Sequence, residues 1–278
     1  MTSNERILQP FTLPNGTELK NRLLMAPMTT CTGYFDGTVT SELVEYYRAR
    51  AGSIGTIIVE CCFIDDYGLA FPGAIGIDND EKIAGLAKIA EAIKAEGSKA
   101  ILQIYHGGRM VDPQLIGGRQ PVAPSAIAAP REGAAMPRAL SGEEVEGMIA
   151  KFGDGVRRAI LAGFDGVEIH GANTYLIQQF YSPNSNQRMT SGAVAATTAP
   201  VSHWRCWILP TKWPASMLTM PLSSAIASRR RRWRSRGSAL TTPCICWKSW
   251  PPAVSIICTS RWVPPCVRLS SIPAIRRR

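Results

Sequence analysis

Three side chains able to do hydrogen-bonding and acid–base chemistry, His170, Asn173 and Tyr175, fall within six residues of the stretch GFDGVEIHGANTYLIQQFYSPNSNQR, residues 163–188. An imidazole and a carboxamide can both donate to one oxygen, and a phenol with an ordinary pKa of about 10 keeps its proton until a stronger base forms beside it. Together they suit polarising a carbonyl or nitro oxygen and protonating the carbon next to it. Taken singly, each has a plainer reading. A strand-end histidine is more often a satisfied structural group, and a tyrosine at a helix start more often packs. The surrounding residues supply the positioning elements. Phe164, Val167 and Ile169 predict a buried strand, Gly171 a turn, and Tyr175, Leu176, Ile177 and Phe180 an amphipathic helix. In parallel α/β folds, side chains at the carboxyl ends of strands converge above a rigid sheet, and chemistry collects there.

The preceding residues repeat that unit. PFTLPNGTELKNR (10–22) predicts a hairpin turning at Asn15-Gly16, and Leu23–Thr29 a short buried strand interrupted by Pro27. Residues 41–51 predict a helix, and Gly55–Ile64 a strand covered on both faces, because its apolar run is continuous. A helix over 80–96 follows, with Ile83, Leu86, Ala87, Ala90 and Ile93 on one stripe, then a strand over Lys99–Tyr105. The Pro/Gly-rich segment 112–139 predicts an active-site loop, and Ser141 with Glu144 a capping box opening a long helix toward Ala162. Alternating strands and helices with long crossovers predict an α/β fold with a parallel sheet or (β/α)8 barrel, of which four units are half. No G-x-G-x-x-G marks a strand–helix turn, which counts against a dinucleotide-binding sheet.

Composition divides the chain. Residues 1–188 hold 17 Lys and Arg against 21 Asp and Glu, whereas residues 189–278 hold 14 Lys and Arg and no carboxylate side chain. All seven Trp and five of the eight Cys lie in that last part, so the net charge of +10 is not a property of the first part. No charged-start apolar leader and no 18-residue apolar run is present, so neither secretion nor a membrane span is expected. Cys31, Cys61 and Cys62 read as free thiols of a reducing, cytoplasmic compartment. A zinc site is not expected, since Cys244 and Cys246 lack a second ligand pair and histidines number only three.

The block HGANTYLIQQFYSPNSNQR resembles the active-site signature of the Old Yellow Enzyme family of FMN-dependent oxidoreductases. That resemblance covers residues 1–188 and implies a (β/α)8 TIM barrel carrying FMN, reduced by NADH or NADPH, that reduces activated C=C bonds of α,β-unsaturated carbonyls. It places Pro27, Met28 and Thr29 against the flavin, Cys61 beside it, and Gln103 on its pyrimidine ring. It gives His170 and Asn173 the substrate oxygen, with His170 also in the cofactor site, and Tyr175 the proton for the α-carbon. His106 and Arg109 remain rim residues, Arg109 as an ion-pair support. Thr174 stands where the family commonly has glycine, which would strain the backbone if φ is positive there. An iron–sulfur flavoenzyme of the dienoyl-CoA reductase kind begins similarly but would need a cysteine cluster downstream.

After Arg188 the resemblance stops. MTSGAVAAT (189–197) can be encoded so that the same bases, read two positions later, give DEWGGSRN, a family-like continuation. In that frame Arg229–Ala239 gives SPEEVEEPGIR, and Leu240–Ser260 gives FDDTMYLLEKLAARGVDYLHF. Glutamate codons read out of phase yield arginine, which accounts for the composition. The expectation is therefore two parts: residues 1–188 as the N-terminal half of the barrel, and 189–278 as an out-of-frame, disordered or ill-folded tail. The chain as written would then be inactive and hold FMN poorly. The alternative is a non-enzymatic protein whose basic, aromatic tail binds nucleic acid.

Overall fold

The computed structural model describes residues 3–189, apart from 14 and 15, together with residues 255–257. A short helix, α1 (Ser3–Leu8), leads into the hairpin β1 (Phe11–Thr12) and β2 (Glu18–Leu19), with Gly16 at φ 85° in the expected turn. Next come β3 (Leu24–Met25), α2 (Ser41–Ala51), β4 (Thr56–Phe63), α3 (Ile83–Ala95) and β5 (Lys99–Tyr105). A two-strand ladder, β6 (Val122–Ala123) with β7 (Arg138–Ala139), organises the long segment that sequence reads as one loop. The chain continues through α4 (Gly142–Leu161), β8 (Gly166–Ile169) and α5 (Leu176–Tyr181).

The main sheet is parallel in the order β3-β4-β5-β8, with β9 (Ser255–Ile257) added parallel to β8. Four successive strands with helices α2, α3 and α4 between them form the first half of a (β/α)8 arrangement, as expected. The sequence reading needs adjustment at several elements. The buried strand expected over Leu23–Thr29 is only Leu24–Met25, with Leu23 and Leu24 exposed. The helix over 80–96 begins as a 3-10 turn, Asp80–Lys82, and Tyr175 is the N-cap of α5 rather than a helical residue. The expectations for residues 190–278 lie outside the described residues, except at Ser255–Ile257, which form a short strand.

Alternation sorts the strands. Ile57, Val59, Cys62, Ala100, Leu102, Ile104 and Val167 join Leu43 and Tyr47 of α2, Leu86, Ile89 and Ile93 of α3, and Val145, Phe152 and Val156 of α4 in one buried core. Each fully buried Leu or Ile contributes roughly 1.5–3 kcal/mol, so this layer fixes the sheet. Other strand positions, including Ile58, Ile101, Gln103, Tyr105 and Glu168, are buried as well, as a strand covered on both faces requires. Between Val59↔Leu102 and Cys62↔Ile104 the register slips by one residue. That bulge returns Cys62 to the helix side and brings Cys61 and Phe63 together with Tyr105 in a second cluster.

Polar locks close the ends. Lys20 Nζ donates to the carbonyls of Ala51, Gly52 and Glu96 at 2.8, 2.9 and 2.8 Å, tying the last turns of α2 and α3 to the hairpin. The capping box is formed: Ser141 Oγ accepts from Glu144 N at 3.1 Å, and Glu144 accepts from Ser141 N at 2.7 Å. Arg138 pairs with the same carboxylate and holds its pKa down to about 2.

Candidate functional site at the carboxyl ends of the strands

The backbone after β8 is built by hydrogen bonds to the neighbouring strand end. His170 N donates to Ile104 O at 3.0 Å, and Leu176 N donates to His106 O at 3.0 Å. The intervening turn places Asn173 at φ 54° and Thr174 at φ 64°, both left-handed. The positive φ anticipated at Thr174 is therefore present, in a β-branched residue that adopts it at a cost of about 1–2 kcal/mol. Buried Gln179 holds this turn: its Nε2 donates to Gly107 O at 3.0 Å and Thr174 O at 2.7 Å, and its Oε1 accepts from Arg109 N at 3.1 Å. The remainder of the signature is also structural. Ser185 Oγ donates to Gln179 O at 2.8 Å, Asn186 Nδ2 to Phe180 O at 2.7 Å, and Arg188 Nη1 to Pro124 O at 3.0 Å.

This scaffold brings the three chemical side chains together. His170 Nε2 and Asn173 Nδ2 lie 3.4 Å apart, and the rings of His170 and Tyr175 meet edge-on at 5.0 Å. At 3.4 Å the two nitrogens make a poor bond with each other and are well spaced to share a third, oxygen acceptor. Burial lowers the His170 pKa to about 4, so the imidazole is neutral at pH 7, and raises the Tyr175 pKa to about 12, so the phenol stays protonated.

Tyr175 is fixed by aromatics that sequence reasoning did not single out. Its ring lies 5.4 Å from Tyr105 and 6.2 Å from Phe71. Tyr105 in turn accepts a hydrogen bond from Ala70 N at 3.1 Å, which holds the Phe71 loop in place. Tyr105 was findable, since it shares the alternation of Gln103 in KAILQIY. Phe71 sits in a loop with no periodicity to reveal it.

The residues of the other group are brought together in pairs. Thr29 Oγ1 is 3.2 Å from Cys61 Sγ, and the buried Cys61 thiol is pushed up to about 12. Gln103 Nε2 donates to Glu168 Oε1 at 2.9 Å, a pairing of two buried groups in register across β5 and β8. Pro27 is half-buried and Met28 is exposed, and neither makes a polar contact with the others. Glu60, fully buried beside the bulge, accepts from Thr30 Oγ1 at 2.9 Å and Tyr47 Oη at 3.1 Å, and burial raises its pKa. His106 takes no part in the cluster. Its Nδ1 accepts from Gly108 N at 3.0 Å, and complete burial lowers its pKa to about 3. Arg109, expected as an ion-pair residue, instead donates to the carbonyls of Ile127 and Ala128, with no carboxylate partner among the described residues. Cys31, Cys61 and Cys62 are free thiols, and no metal-ligating cluster occurs among the described residues. Nor, among those residues, is any helix long and apolar enough to cross a membrane.

Comparison with known proteins bears directly on this arrangement. The NADH:flavin oxidoreductase / NADH oxidase family matches residues 6–191. The chain belongs to that family. It is 59% identical over 183 residues to the NADH:acrylate oxidoreductase of Vibrio harveyi, covering 66% of this chain and 18% of that protein. It is 46% identical over 182 residues to a probable NADH-dependent flavin oxidoreductase of Bacillus subtilis, covering 66% of this chain and 48% of that one. Among solved structures, the old yellow enzyme homologue from Zymomonas mobilis superposes with a TM-score of 0.63 at 34% identity, covering 68% of this chain and 55% of the other. The Old Yellow Enzyme resemblance and the barrel architecture are thus borne out. The chain spans less than half the length of these two curated relatives, and the match ends at residue 191, close to where the sequence resemblance ends.

Proposed function

We propose that residues 1–188 are the substrate-gripping half of an FMN-dependent oxidoreductase of the Old Yellow Enzyme type, reducing the activated C=C bond of an α,β-unsaturated carbonyl. The observation that supports this reading is the grouping of His170, Asn173 and Tyr175 after β8, with the His170 and Asn173 nitrogens 3.4 Å apart and the Tyr175 ring against His170.

The residues present fit the ring of a flavin. Gln103 spends one amide hydrogen on Glu168, which leaves its carbonyl and second N–H for the alternating donors and acceptors of a pyrimidine edge. Thr29 and Cys61 form an adjoining edge, and Pro27 and Met28 an apolar flank at the end of β3. In barrels of this kind the phosphate is held by loops after the seventh and eighth strands, and no such strands occur among the described residues. FMN held at Gln103, Thr29 and Cys61 and reduced by NADH or NADPH would supply the hydride for the β-carbon. His170 and Asn173 donate to the substrate oxygen and stabilise the charge that develops on it. Tyr175, protonated at neutral pH, would deliver its proton to the α-carbon. Phe71 and Tyr105 pack against the Tyr175 ring and restrict its movement.

The chain as written does not retain FMN in this reading, because residues 189–278 are the out-of-frame product of the barrel's second half. A carboxylate-free composition over 90 residues, and a family match ending at 191, support that view. The reading of a basic, nucleic-acid-binding tail has only charge in its favour.

The test restores the frame after Arg188 and compares both chains. The restored chain is expected to purify with stoichiometric FMN and to reduce 2-cyclohexenone with NADH or NADPH; the chain as written is expected to do neither. In the restored chain, His170→Ala with Asn173→Ala is expected to weaken enone binding strongly, and Tyr175→Phe to slow the oxidative half-reaction while leaving flavin reduction by NAD(P)H intact. A restored chain without flavin, or variants with unchanged enone turnover, would sink the proposal.

A further inference from the structure

Among the described residues, Arg109 is an enclosed cation that meets no carboxylate. The residue is 6% exposed, at the short 3-10 turn Gly108–Met110 that follows β5. Its backbone is pinned by Gln179, and its Nη1 donates to Ile127 O at 3.1 Å and Ala128 O at 3.0 Å. Those two carbonyls use both Nη1 protons. Nε, completely buried, has no acceptor among the described residues, and neither Nε nor Nη2 meets a carboxylate there. Burial depresses the Arg109 pKa, with no opposing charge to offset it.

A guanidinium taken out of water normally keeps a carboxylate, because an uncompensated buried charge is strongly destabilising. The acid adjacent in sequence is committed elsewhere: Asp112, three residues on, caps Gln114 N at 2.9 Å. Residues 189–278 contain no Asp or Glu, so no carboxylate side chain from that part of the chain can approach. A second guanidinium adds to the positive field, since Arg131 Nη2 donates to the carbonyl of Met110 at 3.1 Å. The Nε–Nη2 edge carries two parallel N–H groups that find no acceptor among the described residues, the fork that matches two oxygens of one carboxylate or phosphate.

We propose that the Nε–Nη2 edge of Arg109 is an anion-binding site that takes a carboxylate or phosphate group bidentately, at the rim between the β5 end and the segment carrying Ile127 and Ala128. The site rests on Arg109, its neighbours and the carboxylate-free sequence of residues 189–278, and does not depend on the flavin reading. Its ligand chemistry is shared by carboxylic acids and phosphate esters, so both are used as probes.

The experiment titrates the full chain, as written, with sodium propionate and separately with inorganic phosphate, against sodium chloride at constant ionic strength. Two signals are read: the thermal midpoint and the 1H–15N resonance of the Arg109 side-chain Nε–H, assigned by its disappearance in Arg109→Lys. Binding to the folded state raises the midpoint saturably, and the Nε–H resonance is expected to move downfield with the same midpoint concentration. A response to propionate alone identifies carboxylic acids as the source, and a response to phosphate alone identifies phosphate esters. Arg109→Lys is expected to lose at least tenfold in affinity, because a point-like ammonium cannot replace the fork. Arg109→Met is expected to lose the response entirely. No shift of the Arg109 Nε–H with either anion, or equal titrations for wild type and Arg109→Lys, would overturn the proposal. Because the resonance is read on the wild-type chain, misfolding of Arg109→Met leaves the test intact.

Discussion

Acid should weaken this fold through two buried imidazoles. His106 and His170 are 1% and 6% exposed, and burial lowers their pKa values from 6.5 to about 3 and about 4. In the unfolded chain both take a proton as pH falls through about 6.5, whereas in the folded chain both stay neutral until pH reaches their depressed values. The unfolded state therefore binds more protons throughout that window. The corresponding stability is complete above about pH 6.5 and is lost as pH falls toward 4 and then 3. Each histidine contributes a slope of about 1.4 kcal/mol per pH unit, so by pH 4.5 the pair should remove on the order of 5 kcal/mol. That is comparable to the whole stability of a small domain. Buried Glu60 and Asp65, whose pKa values are raised, bend the curve the other way as they take up protons in the folded state. The measurement that separates these contributions is urea unfolding at pH 7.5, 6.5, 5.5 and 4.5 for the wild type and His106→Asn. The asparagine carbonyl can accept from Gly108 N as Nδ1 does, but it does not titrate. The variant should lose about half of the slope between pH 6.5 and 4.5 while keeping its helix signal at pH 7.5. A wild-type stability that is flat over this range, or a slope untouched by His106→Asn, would refute the burial argument.

Other substitutions test the scaffold. Gly108→Ala should destabilise by roughly 2 kcal/mol or more in urea unfolding, because φ is +60° there and a Cβ would strike the amide of Gln179, which three hydrogen bonds hold still. Tyr47→Phe should cost on the order of 2–3 kcal/mol, since its hydroxyl both accepts from Glu60 N at 2.8 Å and donates to the Glu60 carboxylate in a buried setting. Thr174→Gly should raise the thermal midpoint by relieving about 1 kcal/mol of left-handed strain; an unchanged or lowered midpoint would show that the hydrogen bonds of Thr174 compensate for it.

The sequence alone determined the parallel α/β units, because β-branched runs and capping signals are local: the strand Lys99–Tyr105 and the helix Ser41–Ala51 have the bounds their residues predict. It also determined which residues to examine, since His170, Asn173 and Tyr175 lie in one turn. What only the tertiary structure decided is how distant residues meet. The bulge that brings Cys61 toward Tyr105, the pairing of Gln103 with Glu168 across 65 residues, and the Phe71 wall depend on register and loop path, which carry no periodic signal. Arg109 shows the limit most clearly. It was expected as an ion-pair support of the barrel rim, and only the packing around it revealed a guanidinium whose buried Nε finds no acceptor among the described residues. Charge balance depends on which atoms share a volume, and that volume is set by the fold.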